Sequence, residues 1–206
     1  MRKTLVALLT AGLAALLASV GVAASPQTVT ISASRPAVVY GNSVTLSGKI
    51  SESKAGENVG VLAEPFGTPD FAALATVQTV SGGHWSEVAK PTIETSYQAK
   101  WKSATSSTVT VKVRPLITLT VVNQATGRFS TKVSAARSFA GKFVLVQRLT
   151  STGVSTVKKV TLDTSSAASF SVRLHHGRSR LRLVMPTSQT APGYITGTSN
   201  VVTVRH

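Results

Sequence analysis

The feature that most constrains this chain is a pair of strand-like runs that meet at Pro115. Residues 108–113 (TVTVKV) alternate in the period of two typical of a half-buried strand, and residues 116–121 (LITLTV) are similarly rich in β-branched and apolar side chains. Pro115 has no N–H to donate, so a strand ladder is interrupted there. A segment like residues 107–112 (STVTVK) returns near the C-terminus as residues 200–205 (NVVTVR). This pattern predicts one strand-rich unit used twice.

Further matches between the two parts of the chain occur in the same order. Residues 55–61 (AGENVGV) match 140–146 (AGKFVLV), and residues 76–80 (TVQTV) match 156–160 (TVKKV). After Ser25 no stretch keeps an apolar helical period over three turns. Residues 25–115 and 116–206 are each close to the about 100 residues of a single β-sandwich. We therefore predict an all-β protein built from two tandem antiparallel β-sandwiches, of about seven strands each.

The first residues predict secretion. Arg2 and Lys3 precede an apolar run over residues 5–20, and the small residues Ala23 and Ala24 follow. A basic start, an apolar stretch and a small-residue site form a secretory signal peptide. An uncleaved membrane anchor is the alternative, but the run is shorter than the about 20 residues of a spanning helix. We expect a signal peptide over residues 1–24, cleavage near Ala24, and an extracellular protein associated with the cell envelope.

Charge is distributed unevenly along the chain. The formal net charge is +15, and the chain contains no Cys, which excludes disulfides and thiolate chemistry. Residues 25–115 hold eight Lys and Arg against six acidic residues, whereas residues 116–206 hold twelve against Asp163 alone. The second unit of this basic protein is therefore predicted to carry nearly all of the attractive field for an anionic partner.

One group of basic residues stands above this background. In residues 178–183 (RSRLRL) a period of two puts Arg178, Arg180 and Arg182 on one face of a strand, and Leu181 and Leu183 on the other. The full set of predicted polyanion-binding residues is Arg173, His175, Arg178, Arg180, Arg182, Lys158 and Lys159. Because the guanidinium fork matches phosphate and carboxylate, the expected partners are an anionic cell-wall polymer, a glycan or an acidic lipid surface. Nucleic acid fits the charge but not secretion, and a merely solubilising surface is the alternative.

The search for catalytic chemistry gives no convergent set of groups. Two Ser-x-x-Lys segments, residues 51–54 and 155–158, lie in non-helical sequence, whereas that motif needs Ser and Lys on one helical turn. His175 and His176 are adjacent, so on an extended strand they point to opposite faces and do not clamp one metal ion. We expect no enzyme activity, no metal site and no cofactor. Trp85 is the best candidate for stacking on a sugar, and packing in the core is the alternative.

Several segments together resemble a known family. They are residues 41–48 (GNSVTLSG), 55–56 (AG), Trp85, 95–99 (TSYQA) and 106–113. This pattern resembles the immunoglobulin-like (Big/Ig-like) repeat domains of bacterial secreted and surface proteins. The resemblance implies a sandwich with Tyr97 at the corner-tyrosine position. The second copy departs from it, with Leu181 near the matching position, and neither copy has the paired cysteines of antibody domains.

The resemblance also implies a role. It implies a non-enzymatic binding, adhesion or spacer module at the bacterial cell surface, and it names no ligand. The alternative is an accessory domain pair that tethers or assists a secreted glycan-active enzyme, or that is itself a weak hydrolase.

Overall fold

The computed structural model describes residues 26–174 and 176–205. The predicted signal peptide and His175 lie outside the described residues. Within these ranges the helical structure consists of a 3-10 turn at Ser81–Gly83 and α1 at Thr187–Thr190. None of the helices described is long and apolar enough to cross a membrane. The fold is thus nearly all β, as the strand-like patterns predict.

The part of the chain before Pro115, here called the N-terminal half, forms two sheets. Its strands are β1 (Ser32–Ala33), β2 (Ala37–Val39), β3 (Val44–Lys49), β4 (Asn58–Pro65), β5 (Ala72–Gln78), β6 (His84–Ala89), β7 (Thr95–Trp101), β8 (Ala104–Thr105) and β9 (Val109–Arg114). One sheet has the order β1-β3-β6, and the other has the order β2-β9-β7-β4-β5 with β8 on β7. The β2–β9 pair is parallel, and the other ladders are antiparallel.

The part after Pro115, here called the C-terminal half, repeats this arrangement. Its strands are β10 (Leu116–Asn123), β11 (Arg128–Ser134), β12 (Phe143–Thr150), β13 (Gly153–Thr161), β14 (Ala167–Ser171), β15 (Arg178–Met185), β16 (Gly197–Thr198) and β17 (Val202–Arg205). One sheet has the order β10-β11-β14, and the other has the order β13-β12-β15-β16 with β17 also on β15. Among the described residues no ladder joins the two halves.

In each half the strand order has the same logic. The sheet β1-β3-β6 corresponds to β10-β11-β14, and the order β5-β4-β7-β9 in the other N-terminal sheet corresponds to β13-β12-β15-β17. This is the two-sheet antiparallel arrangement of immunoglobulin-like sandwiches. The predicted fold class is confirmed. The division into two domains at Pro115 stays a prediction.

Alternation along the strands decides which side chains enter the core. Three runs show it: Val44, Leu46 and Ile50 around β3; Tyr97, Ala99 and Trp101 on β7; and Leu181 and Leu183 on β15 are all buried. Burying an aliphatic or aromatic side chain of this size contributes about 1.5–3 kcal/mol. These alternating residues therefore form the inner faces of the three strands.

The two halves meet around the buried Pro115. The loop after α1 returns to the N-terminal half, where the Ile195 N–H donates to the Val113 carbonyl (3.0 Å) and the Glu94 N–H donates to the Gly193 carbonyl (3.0 Å). Arg114 adds a hydrogen bond from Nη1 to the carbonyl oxygen of Thr196 (2.6 Å). The halves are therefore tied by hydrogen bonds as well as by the chain itself.

Candidate anion-binding surface

The predicted arginine row lies on β15. Arg178 and Arg180 are exposed and Arg182 is half-buried, whereas Leu181 between them is 0 % exposed. The leucine anchors the strand in the core and so directs the guanidinium groups to the outer face of the sheet. Since a strand rises about 3.3–3.4 Å per residue, successive arginines repeat every ~6.7 Å.

Neighbouring strands extend this positive face. On β17, Arg205 lies directly opposite Arg178 in the antiparallel ladder, and both are exposed. Like charges in that position repel each other. Arg182 instead donates from Nε to the Gln147 side-chain oxygen (2.9 Å) on β12. The row therefore has its highest density of positive charge at the Arg178 end, where an anion between the two arginines would relieve the repulsion.

Acidic side chains do not neutralise this face. Among the described residues the Lys–Glu ion pairs all lie in the N-terminal half, around Glu52 and Lys102. The one acidic residue of the C-terminal half, Asp163, is committed elsewhere: its Oδ1 accepts hydrogen bonds from the Ala167 N–H (3.0 Å) and from the N–H and hydroxyl of Ser165. These hydrogen bonds, with the nearby charge of Lys132, lower the pKa of Asp163.

The two predicted lysines lie on opposite faces of the sheet. Lys159 pairs with Leu145 and holds its Nζ 4.0 Å from the centre of the Phe143 ring, on the same face as the arginine row. Lys158 pairs with the buried Val146, and its Nζ donates to the Ser171 carbonyl (2.9 Å) in the other sheet. Successive residues of a strand point to opposite faces. Lys158 therefore lies on the opposite face of the sheet from the arginine row, and its role in polyanion binding stays a prediction.

The region after β14 contains the other predicted residues. Arg173 follows the strand, and its carbonyl oxygen accepts a hydrogen bond from Nη2 of Arg148 (2.8 Å). His175 is not among the described residues. The sequence analysis did not single out Arg148 of β12. This residue lines two basic cavities, one with Arg178 and Arg180 and the other with Lys158 and Arg173. The signal was present, since Val144, Val146 and Arg148 follow one period of two.

Trp85 occupies the core. Its side chain is 3 % exposed, and it lies opposite Gly48 in the β3–β6 ladder, where the missing Cβ makes room for the indole. A ring buried to this extent offers no face to a sugar. The sugar-stacking prediction for Trp85 is therefore wrong, and the core alternative holds.

The segments searched for catalysis and metal binding keep their simple geometry. Residues 51–54 lie outside the strands, and residues 155–158 lie on β13, so neither Ser-x-x-Lys segment is helical. Over residues 26–174 and 176–205 no group of three or more His, Cys, Asp or Glu side chains could hold a metal ion. The functional side chains that cluster among the described residues are positively charged.

Comparisons with known proteins give little beyond the fold. No protein-family model matches the chain, and no curated protein matches it. Among solved structures, it is similar to a tetra-tandem repeat in the extending region of a large adhesion protein, with 12 % identity, a TM-score of 0.36, and 87 % of this chain covered. The chain spans about half of that structure, 49 %.

A second similar structure contains the FN1-FN3 domains of chicken CNTN1. It has 13 % identity and a TM-score of 0.29, and the match covers 88 % of this chain and 69 % of that one. Similarities this low carry no functional argument. The immunoglobulin-like assignment therefore depends on the strand order described above.

Proposed function

We propose that this protein is a secreted, non-enzymatic, immunoglobulin-like module of the bacterial cell envelope, made of two domains divided at Pro115. Its C-terminal half binds a linear anionic polymer, such as a wall polymer or an acidic glycan. The observation that carries the proposal is the row Arg178, Arg180 and Arg182, extended by Arg205, with no acidic side chain committed to it among the described residues.

The geometry of the row favours an extended ligand. Each guanidinium presents a planar fork of donors that pairs with carboxylate, sulfate or phosphate. Repetition every ~6.7 Å along one strand matches a ligand that repeats its own charges, more than a compact ion. Hydrogen bonds to both neighbouring strands, β12 and β17, hold β15 in place. The arginines are thus presented by a rigid element, which limits the entropy lost on binding.

The test compares two triple variants of the full chain without residues 1–24. The first carries Arg178→Ser, Arg180→Ser and Arg182→Ser. The matched control carries Lys90→Ser, Lys100→Ser and Lys112→Ser, which removes the same charge from exposed positions of the N-terminal half. Exposed substitutions of this kind change stability by only about 0.5 kcal/mol each, and circular dichroism verifies the fold.

Binding to immobilised heparin and to teichoic acid is measured over a range of salt concentrations. Each lost phosphate contact lowers the magnitude of the log–log salt slope by about 0.9 on B-DNA, so the arginine variant should lose about 2 to 3 in slope on a polyanion of similar charge density. The lysine variant should keep its slope. Equal losses in both variants would mean that net charge alone acts. Stronger binding to phosphatidylglycerol vesicles than to either polymer would replace the polymer with a lipid surface.

A further inference from the structure

Arg148 has an unusual position for an arginine. It follows Val144 and Val146 on the inner face of β12, and both valines are 0 % exposed. In the ladders on either side it lies opposite Ser155 of β13 and the buried Leu181 of β15. Arginine is among the residues least often placed on a core face unless it is paired. The guanidinium of Arg148 therefore needs a polar partner.

The protein provides only part of that partnership. Nη2 of Arg148 donates to the carbonyl oxygen of Arg173 (2.8 Å), but its Nε is buried and no protein group accepts its hydrogen. A buried donor left without a partner costs about 1–3 kcal/mol, and more when the group is charged. The Arg148 donors that remain for a ligand are therefore the Nη hydrogens that the Arg173 carbonyl does not use.

A second cation reaches the same place from the neighbouring strand. The Lys158 Nζ crosses between the sheets to donate to the Ser171 carbonyl (2.9 Å), two residues before Arg173. An ammonium has three donors and a guanidinium has five, and each of these groups uses one on the chain. Several charged donors therefore stay uncommitted at one point.

These groups line a cavity of about 330 Å³. Its walls are Arg148, Val157, Lys158, Ser171, Val172 and Arg173, with no carboxylate. A second cavity of about 460 Å³ is also lined by Arg148, together with Arg178 and Arg180 of the row. Arg148 thus lines both this cavity and the first one, which is called the inner cavity here because Lys158 and Arg148 lie on the inner face of the sheet.

We infer that the inner cavity is a binding site for a single tetrahedral oxyanion, a phosphate or sulfate group. Arg148 donates to it through the Nη hydrogens that the Arg173 carbonyl does not use, and Lys158 and Arg173 add positive charge from the wall of the same cavity. Several charged donors around one cavity suit an anion with three or more acceptor oxygens better than a planar carboxylate. The inference deepens the proposed function and rests on it, because Arg148 also lines the cavity formed with Arg178 and Arg180 of the row.

A small anion tests the site without the polymer. The full chain without residues 1–24 is titrated with sodium sulfate, sodium phosphate and sodium acetate at constant ionic strength, while NMR follows the Arg148 Nε–H resonance and the backbone amides of Val172 and Arg173. We expect saturable shifts with sulfate or phosphate and not with acetate. The anion whose shifts saturate at the lower concentration, sulfate or phosphate, is the preferred ligand. Shifts that are the same for acetate, or that never saturate, would overturn the inference.

Two matched variants separate a built site from the general positive field. Arg148→Lys keeps the charge but removes the fork and Nε, and it should weaken sulfate or phosphate binding at least about tenfold on the amide signals. Arg35→Lys, at an exposed position of the N-terminal half, should leave that binding unchanged. Lys158→Gln, at an exposed position, should weaken it as well, which keeps the test valid if Arg148→Lys does not fold. Equal effects of the Arg148 and Arg35 variants would overturn the site.

The triple Ser variant of the arginine row distinguishes this inference from the proposed function. If the variant loses heparin and teichoic acid binding but keeps the sulfate or phosphate shifts, both proposals stand. If it keeps polymer binding and the shifts, the row proposal fails while the cavity survives. If the wild-type chain binds polymer through the row but shows no saturable anion shift, the cavity inference alone fails.

Discussion

The hydroxyl of Tyr194 donates a hydrogen bond to the carbonyl oxygen of Thr92 (2.6 Å), which lies 102 residues earlier in the chain. The hydroxyl oxygen of Tyr194 in turn accepts a hydrogen bond from the Ala136 N–H (2.9 Å). The side chain is 2 % exposed, and its burial raises the pKa of the phenol, which keeps it protonated as the bond to Thr92 requires. One buried hydroxyl therefore links the two halves across Pro115.

We expect Tyr194→Phe to weaken this link. The substitution keeps the ring but removes the hydrogen bonds to the Thr92 carbonyl and from the Ala136 N–H, at a cost of about 0.5–1.5 kcal/mol of unfolding free energy for each. Urea denaturation measures the loss, and small-angle scattering should show a wider spread of arrangements of the halves. Tyr40→Phe is the control, because the half-buried Tyr40 hydroxyl makes no hydrogen bond among the described residues. Equal stability of the two variants would contradict the role of Tyr194.

Gly48 makes a second prediction about packing. A Cβ at this position would lie 1.9 Å from the Thr30 carbonyl oxygen and 2.7 Å from Nε1 of Trp85, so backbone and indole would both have to move. Overpacking of this kind costs about 1–3 kcal/mol, and we expect Gly48→Ala to lower the urea midpoint accordingly. At Gly60, also on a strand, the nearest atom would be 3.7 Å away.

Gly60→Ala is therefore the matched control. It adds the same methyl group in ordinary van der Waals contact, and it reduces the freedom of the unfolded chain, which stabilises by about 0.4–1 kcal/mol where the backbone is compatible. The two alanine variants should differ in sign. A Gly48→Ala protein as stable as the Gly60→Ala protein would mean that Thr30 and Trp85 yield freely.

The predicted signal peptide can be tested directly. When the full chain is expressed in a secreting bacterial host, we expect to find the protein in the medium or the envelope fraction. Its intact mass should correspond to a chain that starts near Ser25. The small side chain of Ala24 fits the cleavage site, so Ala24→Phe should block processing and retain the chain in the membrane fraction. Wild-type protein that keeps residues 1–24 would support the membrane-anchor alternative.

The period of two in the sequence correctly predicted the face of a side chain where only its own strand determines that face. The outward row of Arg178 and Arg180, the inward Leu181 and the buried Tyr97 all follow from a period of two within a single strand. The same rule places Arg148 on the face of Val146. Its hydrogen bond, however, goes to the carbonyl of Arg173, which follows β14 of the other sheet. Contacts of that kind come from tertiary structure.

The points that the sequence did not predict have the same origin. Lys158 and Lys159 are neighbours in sequence, and grouping them by charge ignores the alternation that sends them to different faces. An irregularity between Val146 and Gln147 then shifts the register of the β12–β13 ladder. Trp85 looked accessible beside two glycines, but the register puts Gly48 opposite it and so opens space in the core. Register across strands is not visible in a single sequence.

The turn held by Asp163 predicts a specific response to pH. Hydrogen bonds from the Ala167 N–H and from Ser165 stabilise the carboxylate, and the pKa of Asp163 is lower in the folded protein than its usual value of 3.8. A group with a depressed pKa contributes stability above its unfolded pKa, and this contribution is lost as the pH falls through the folded pKa. Asp163→Asn, which does not ionise, should therefore melt at a lower temperature than wild type at neutral pH.

The difference in melting temperature should stay constant while the pH is well above the usual Asp pKa of 3.8, and it should close as the pH falls through the lowered pKa of Asp163. Thermal melts followed by circular dichroism across this range measure it. Asp70→Asn is the matched control, because the exposed Asp70 carboxylate accepts no hydrogen bond among the described residues. If Asp163→Asn and wild type melted with a gap independent of pH, the carboxylate charge would have no part in holding the turn. A gap that widened on acidification would reverse the sign of the argument and refute it.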